Sequence, residues 1–554
     1  MDWSSRTPAL SVRPIPISSV VPPNWASICS CRRSLASRRV PSMCGIAAII
    51  TKGARSTDAP LAGMLRSMLL PISHRGDVEN FGETRITDRW AAGTNRLAIT
   101  DRDHGVQPVT REGLTLFYNG ELFNTDSLRN ELVALGFEFE TETDTEVVLN
   151  AYRAWGKQAF SRISGMYALV IFSDDDNGFV IARDPLGIKP LYLSENSEAV
   201  LIASELKSFG DVEGHRPVEF EPGQWYDGTT YQRFSTILDI SPDPGELHLD
   251  EDALVRTYRD LFLQAVRSHV DTDLPVAVTF SGGIDSAAVL AAARRYHDNV
   301  VAFTVGLKGS ADIEVARRYC EEQGIAHHVE EISMDDVIAA VPTVVRYGEF
   351  FEAIDAMDSC ISYFAYRLIQ RHGFKVAICG EGSDELLGGY DLFRTHPDPV
   401  ELVRYRTGNL HRTDIQRVDR MSMAHSVETR VPFLDLDLAK FTLGLPFSVK
   451  IRDGVEKWIL RQAVSDLLPD YILHRPKIRM PDGSGLKSQL REYAAAMAGE
   501  IEFPGGEDIR LGLTSPEERY FLAEYLKKGY PAPEQRYKVA GYDYDETGYF
   551  TFVS

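Results

Sequence analysis

Nowhere in this chain of 554 residues do apolar side chains run for the roughly 20 positions that a membrane-spanning helix needs, so no such helix is expected. Positive charge is also in deficit. Only 59 Lys and Arg stand against 80 Asp and Glu, a formal net charge of -21. Such a surface repels nucleic acid and anionic membranes, and neither is expected as a partner. Cysteine is sparse. Cys29, Cys31, Cys44, Cys320, Cys360 and Cys379 cannot staple a chain of this length, and they fit a reducing, cytoplasmic setting. Cys29 and Cys31 have no second Cys or His pair nearby, which argues against a zinc site. Acids are missing from the first 42 residues, where Asp2 stands alone among Ser, Pro and Arg. That stretch shows neither apolar alternation nor a helical stripe, so residues 1–43 are expected to be a disordered leader outside the fold. Two origins fit it: a removed transit peptide, or upstream sequence ahead of a true initiator at Met43. The second is preferred.

The rest has the composition of an ordinary globular protein, 44% hydrophobic and 25% charged, and is too long for one core. From Cys44 to Lys207, short β-branched runs (Gly45–Ile50, Arg96–Ile99, Leu114–Tyr118, Tyr167–Phe172, Gly178–Ala182) surround the amphipathic stretches Ser127–Leu135 and Thr145–Trp155. This pattern predicts an α+β sandwich over 44–207. Residues 208–250 read as a connecting segment, with the linker at Ser241–Glu246. A long helix over Glu251–Val270 opens a second domain, 251–530. There Val276–Phe280, Val300–Val305 and Val376–Cys379 are apolar strands, the first two followed by helices at Ser286–Tyr296 and Ile313–Gln323. That rhythm predicts an α/β doubly wound parallel sheet, with ligands beyond the strands' carboxyl ends and a helical C-terminal part. The tail, 531–554, carries the aromatic and acidic stretch Gly541–Phe552, which has no clear period.

Chemistry gathers at two places. Cys44 follows Met43 at the head of the first strand. If Met43 initiates and is removed, Cys44 gains a free α-amine, whose reference pKa of about 7.7–8.0 suits a general base for its own thiol. Nucleophile and base then belong to one residue, with no histidine required. Cys44-Gly45-Ile46, Asn119-Gly120-Glu121-Leu122-Phe123-Asn124, Arg96 in Asn-Arg-Leu-Ala-Ile and Asp144 in Thr-Asp-Thr-Glu follow one another in the order seen in a known family. Residues 44–207 thus resemble the class II glutamine amidotransferases, whose domain is an N-terminal-nucleophile sandwich. The resemblance implies L-glutamine as substrate, an oxyanion hole from the Asn119 amide and the Gly120 N–H, Arg96 on the glutamine carboxylate, and Asp144 with Glu121 at its ammonium. An α-amino acid needs such a cation and anion at fixed separation. His74-Arg75-Gly76-Asp77 resembles the family's H-R-G-P-D loop without its proline, which loosens the loop without removing a catalytic group. Taken alone, Asn119-Gly120 is also the favoured pair for a plain hairpin turn.

The second place is Ser281-Gly282-Gly283-Ile284-Asp285-Ser286, between a strand and an Ala-rich helix. Glycines let the backbone approach phosphate, and successive N–H groups with the helix's positive end hold an anion. No G-x-x-x-x-G-K-[ST] occurs, so this is not a Walker loop. The S-G-G-x-D-S form belongs to ATP pyrophosphatases. With Gly380-Glu381-Gly382-Ser383-Asp384-Glu385, Lys457 in Glu-Lys-Trp-Ile-Leu-Arg, and Arg430-Val431-Pro432-Phe433-Leu434-Asp435, residues 251–530 resemble the synthetase domain of asparagine synthetase. That implies ATP bound through Thr279, the 281–286 loop, Val305 and Gly380. It implies Mg²⁺ on Asp285 and Asp384, Glu381 as base or proton shuttle toward ammonia, Lys457 on phosphate and acyl-adenylate, and a structural role for Arg430–Asp435. It also makes a homodimer plausible. The expected reaction is glutamine-dependent amidation of a carboxylic acid acceptor, by default L-aspartate.

The acceptor stretch departs from the family. Where Thr-Thr-x-Arg engages aspartate, an ungapped alignment puts Ile354, Asp355, Ala356 and Met357, and Asp355 repels a second carboxylate. A different acid, in specialised metabolism, is the alternative. Three other readings are disfavoured. The motif set argues against a non-catalytic relative. No basic, aromatic-interleaved patch supports a tRNA-modifying enzyme. A β-lactam-forming relative needs no ammonia and lacks the nucleophilic Cys.

Overall fold

The computed structural model describes residues 45–53, 58–76, 84–97, 99, 101, 105–174, 178–210, 212, 214–240, 250–476, 486–499, 501–503, 505–506, 511–513, 515–532, 542–544 and 550–552. The leader 1–43, Cys44, Asp77 and the linker Ser241–Glu246 lie outside the described residues.

Two antiparallel six-stranded sheets form the N-terminal part. One runs in the order Val218–Glu219, Tyr192–Glu195, Ala199–Ala203, Gly45–Thr51, Trp90–Asn95, Thr84–Ile86. The other runs Tyr231–Arg233, Gln224–Tyr226, Phe179–Arg183, Gly165–Ser173, Leu114–Leu122, Val109–Arg111. Strand periodicity explains how they stack. On Gly165–Ser173, Ala168, Val170 and Phe172 meet Ile46, Ala48 and Ile50 of the first sheet between the layers. The alternate residues Tyr167, Leu169 and Ile171 pack outward on Leu128, Leu132, Val147 and Ala151 of the helices Thr125–Ala134 and Asp144–Trp155. On Gly45–Thr51, Ala47 and Ile49 likewise face Leu61, Leu65 and Met68 of Asp58–Leu69. A helix layer therefore covers each outer face, the α+β sandwich expected. Three of the short strands, between Val218 and Arg233, fall in the stretch read as a connector.

The second part holds a five-stranded sheet, all parallel, in the order His327–Ile332, Val300–Leu307, Val276–Thr279, Val376–Ile378, Glu428–Arg430. Val276 and Val278 face the helices Glu251–His269 and Ile284–Tyr296, while Ala277 faces Met334–Gly348 and Ala353–Arg371, so both faces are covered. Strand order reverses at Val276–Thr279, whose neighbours are Val300–Leu307 on one side and Val376–Ile378 on the other. Loops 280–286 and 379–385 leave the carboxyl ends of the two strands at this switch point.

Some local expectations are corrected. Arg96–Ile99 is not a strand: Trp90–Asn95 ends first, and Arg96 lies in the loop beyond it. Two sheet members, His327–Ile332 and Glu428–Arg430, were missed because each is an edge strand carrying charge (Glu330 and Glu331; Glu428 and Arg430). In the tail, Tyr542–Tyr544 pairs antiparallel with Phe550–Phe552.

Candidate active sites

Strand Leu114–Leu122 carries Asn119, Gly120 and Glu121 into the first cavity, about 430 Å³ and partly open to solvent. Asn119-Gly120 is not a hairpin turn. Both residues lie in the strand, opposite Ala168 and Tyr167. Gly120 tolerates no side chain, because an added Cβ would stand 2.3 Å from the Met166 carbonyl oxygen. The Asn119 amide is buried, and its Nδ2 has no hydrogen-bond partner among the described residues. A buried donor left unmade is costly, so it marks a place for an oxygen to arrive. Asp144, in the first turn of its helix, accepts the Leu122 N–H at 3.1 Å. Burial nonetheless pushes its carboxyl up to about 6. Arg96 lines the same cavity, its Nη2 3.4 Å from the Asp101 carbonyl oxygen. The strand register places Gly45 opposite Asn95, the residue before Arg96.

The wall of this cavity is shared with the second part of the chain, through Glu428. Arg430 is fully buried, donates from Nε to Glu428 at 2.8 Å and from Nη1 to the His269 carbonyl at 3.1 Å, and stands 3.0 Å from Glu121. Burial drives the Glu121 carboxyl well above its ordinary range, against the pull of Arg430. The Arg430–Asp435 signature therefore holds a residue of the first cavity as well as the fold. Sequence reasoning missed Glu428 because its role depends on the parallel pairing of Val376 with Glu428, a contact between distant strands.

The second cavity, about 1040 Å³ and also partly open, sits at the switch point. Thr279, Ser281, Gly283, Ile284, Asp285, Ser286, Val305, Gly380, Glu381, Asp384 and Lys457 all line it. Gly282 does not. Its φ of 72° turns the loop, and an added Cβ would meet Val315 at 2.9 Å. Gly380 is the point where the two loops touch, its would-be Cβ 2.9 Å from that of Asp285. Lys457 is completely buried, with Nζ 2.5 Å from Asp285 Oδ2 and 2.6 Å from Asp384 Oδ1. Ser383 Oγ donates to the other oxygen of Asp285 at 2.7 Å. Two carboxylates and a cation thus converge on a phosphate-shaped loop. These are hard oxygen donors of the kind Mg²⁺ takes, and they fit the ion when pyrophosphate oxygens complete its shell. Arg475 adds a cation no motif announced, held by Asp312 at 2.6 Å and donating to the Ser281 carbonyl at 3.3 Å.

Helix Asp414–Met423 runs between the two sites. Its Arg417 reaches Glu381 at 2.9 Å, Asp414 at 2.8 Å and Asp358 at 3.5 Å. Two residues on, Asp419 receives a bidentate pair from Arg75 at 2.7 and 3.0 Å, and Arg75 also donates to Glu205 at 2.6 Å. Arg420 meets Glu349 at 3.2 Å. Arg75 therefore ties His74–Gly76 to Asp419 and Glu205, while the loop from Asp77 onward, where the missing proline was expected to act, lies outside the described residues. Of the expected acceptor stretch, none of Ile354, Asp355, Ala356 and Met357 lines the second cavity, whereas Ile361 and Ala365 of the same helix do.

Comparison with known proteins bears on both halves. The family model described as a glutamine amidotransferase domain matches residues 43–222, and the one described as asparagine synthase matches 257–404 and 395–546. The chain is 32% identical to a probable glutamine-hydrolysing asparagine synthetase of Dictyostelium discoideum over 83% of this chain and 89% of that protein. It is 26% identical to glutamine-hydrolysing asparagine synthetase 1 of Bacillus subtilis over 81% and 89%, and 31% identical to the nodule asparagine synthetase of Pisum sativum over 80% and 78%. Among solved structures, a glutamine phosphoribosylpyrophosphate amidotransferase from B. subtilis with ADP and GMP aligns over 75% of this chain and 100% of that one, at 16% identity and a TM-score of 0.30, too slight a likeness to argue from.

Proposed function

The chain belongs to the glutamine-hydrolysing asparagine synthetase family of carbon–nitrogen ligases, and on that premise we propose that it transfers glutamine nitrogen to a carboxylic acid through an acyl-adenylate, with L-aspartate the default acceptor. The observation that carries this reading is Lys457, buried between Asp285 and Asp384, which follow two adjacent parallel strands at the switch point.

In the first site the Cys44 thiol, deprotonated by its own α-amine, attacks the glutamine amide carbon. The oxyanion that forms takes the waiting Asn119 Nδ2–H and the Gly120 N–H, each such donor contributing about 3 kcal/mol to the transition state. Ammonia leaves, and water then releases glutamate from the thioester. In the second site an acceptor carboxylate oxygen attacks the α-phosphorus of ATP and expels pyrophosphate. Lys457 balances the charge gathering on phosphate, and Asp285 and Asp384 would hold Mg²⁺, which neutralises pyrophosphate when bound. Ammonia attacks the acyl carbon, AMP departs, and Glu381 takes the spare proton. Arg417 positions Glu381 for that step.

Ionised Asp144 is what grips the glutamine ammonium, which sets a pH limit. Its carboxyl is raised to about 6, so the charged form dominates above that pH and is lost below it. Glutaminase KM is expected to rise about tenfold per pH unit below 6, in addition to the fall in kcat that protonation of the Cys44 α-amine brings below about 7.7–8.0. An unchanged KM at pH 5 refutes the role.

Protein beginning at Cys44 is expected to release AMP and pyrophosphate when given glutamine, ATP and L-aspartate. Met357 aligns where the family's arginine stands, with Asp355 at the second threonine, and another acid is the second reading that the same assay tests. AMP formed only with an acid other than aspartate sinks the asparagine assignment and leaves the ligase assignment standing.

A further inference from the structure

A third cavity, apart from both catalytic ones and about 630 Å³ with its open mouth included, lies where the N-terminal sandwich meets the helices of the second part. Tyr192 and Leu206 come from the sandwich. Glu349–Glu352 and Asp355 come from the start of Ala353–Arg371, and Tyr405, Arg412, Gln416 and Tyr525 from the helical region.

Asp355 is the unusual member. It is only 5% exposed, and its carboxyl makes no hydrogen bond or ion pair among the described residues; Ser359 Oγ donates to its backbone carbonyl, not to its side chain. An acid in the first turn of a helix complements the helix dipole, but that contributes about 0.3–1 kcal/mol. Its carboxyl lines the cavity and has no protein partner there, so the dipole alone does not account for placing Asp355 at this position. Its surroundings sharpen the point. Burial, then Glu352 and Asp414, drive the carboxyl well above its ordinary range, and Arg417 only partly offsets them. Glu349, by contrast, is already matched by Lys207 at 3.0 Å and Arg420 at 3.2 Å, and Arg412 by Glu219 at 2.7 Å. Among the described residues no group of three His, Cys, Asp or Glu stands close enough to hold a metal ion. Five aromatic residues, Tyr192, Phe350, Phe351, Tyr405 and Tyr525, line the cavity beside the neutral polar Asn409, Thr413 and Gln416.

We propose that this cavity is a binding site for a small organic ammonium, its N–H groups donating to the Asp355 carboxylate, with the negative charge of Glu352 nearby, and its carbon frame lying against the tyrosine and phenylalanine rings. A carboxylate supplies the charge and aromatic faces supply cation–π attraction, a pairing suited to an alkyl ammonium and poorly suited to an anion or a hard metal ion.

The probe is 1,4-diaminobutane, titrated calorimetrically into the full chain at pH 7.5, with 1,4-butanediol as the uncharged control and sodium chloride at matched ionic strength. Saturable binding is expected for the diamine alone. Asp355→Asn is expected to weaken it about tenfold or more, the worth of a hydrogen bond to a charged group. Glu352→Gln and Tyr405→Leu provide independent variants, each expected to weaken binding severalfold with the melting profile retained. Diamine binding that is absent, matched by butanediol, or unchanged in all three variants overturns the site. A further arm separates two sources of the ammonium. If 4-aminobutanoate binds and supports AMP release, the ammonium belongs to the acceptor; if it binds without AMP release, it belongs to a separate small molecule. Neither result depends on whether aspartate is a substrate.

Discussion

Replacing Lys457 with methionine is expected to lower AMP formation by about 10³-fold while the Cys44 site continues to hydrolyse glutamine. The geometry sets both halves of this expectation. Lys457 Nζ is the cation between Asp285 and Asp384, at 2.5 and 2.6 Å, and no surface lysine can swing into its place because the side chain is wholly enclosed. Methionine fills the volume and removes the charge. Two buried carboxylates are then left facing each other, which costs about 3–5 kcal/mol where one partner of a buried pair is deleted. The site also loses the group that meets charge as it develops on phosphate, a loss of about 10²–10³ by itself. Lys457 holds a φ of 57°, so a β-branched replacement adds backbone strain and methionine is the cleaner test. The approach of Gly389 makes the site less forgiving still: a Cβ there would lie 1.8 Å from Asp384 Oδ1 and 2.6 Å from Lys457 Cε. Pyrophosphate release and glutamate release, assayed side by side with a thermal melt, distinguish the outcomes. Undiminished AMP formation refutes the role of Lys457. Loss of both activities together with the melt shows only that the pair holds the fold, and Asp384→Asn, which keeps the cation, then tests the chemistry.

The parts of this molecule readable from sequence are those fixed by local pattern. Val276–Thr279 is uniformly apolar because both faces of its sheet are covered, and the glycines after it turn at the switch point, so strand, loop and helix were legible together. The same holds for Leu114–Tyr118 and for Asp144 at the head of its helix. What stayed hidden depends on which distant segments meet. Asn119-Gly120 has the composition of a turn, and only the nine-residue pairing with Gly165–Ser173 makes it strand. Arg75 and Arg430 sit in motifs with no visible partners, since Asp419 is 344 positions from Arg75 and Glu121 belongs to another sheet. Asp355 was legible as an acid out of place on the acceptor helix, but the helix's rotation decides which cavity it enters, and that rotation is set by Met357, Cys360 and Phe364 packing into the core. Local pattern thus located groups that line the two cavities, and tertiary packing decided how they are supported.

The Arg75–Asp419 pair is where that support is concentrated, and Arg75→Met is expected to destabilise the chain by about 3–5 kcal/mol and to uncouple the two reactions. Arg75 has no exposed surface and donates to both Asp419 and Glu205, so its loss leaves carboxylates buried with fewer partners. Burial opposes the charge on Asp419, and Arg75 overcomes that opposition, holding the carboxyl below its usual range. Lys189, 3.8 Å from Asp419, and Arg420 at 3.1 Å remain as weaker substitutes, which places the cost at the lower end of the range. Asp419→Leu alone should cost a similar amount by stranding the guanidinium. The double variant, Arg75→Met with Asp419→Leu, should recover much of the loss, because two apolar side chains need no partners. Denaturant midpoints give the energies, and the ratio of glutamate to AMP gives the coupling. That ratio should rise above one in Arg75→Met, since Asp419 shares a helix with Arg417, the residue that positions Glu381. Strictly additive energies in the double variant, with the ratio held at one, would show that the pair is neither a buried charge partnership nor a link between the sites.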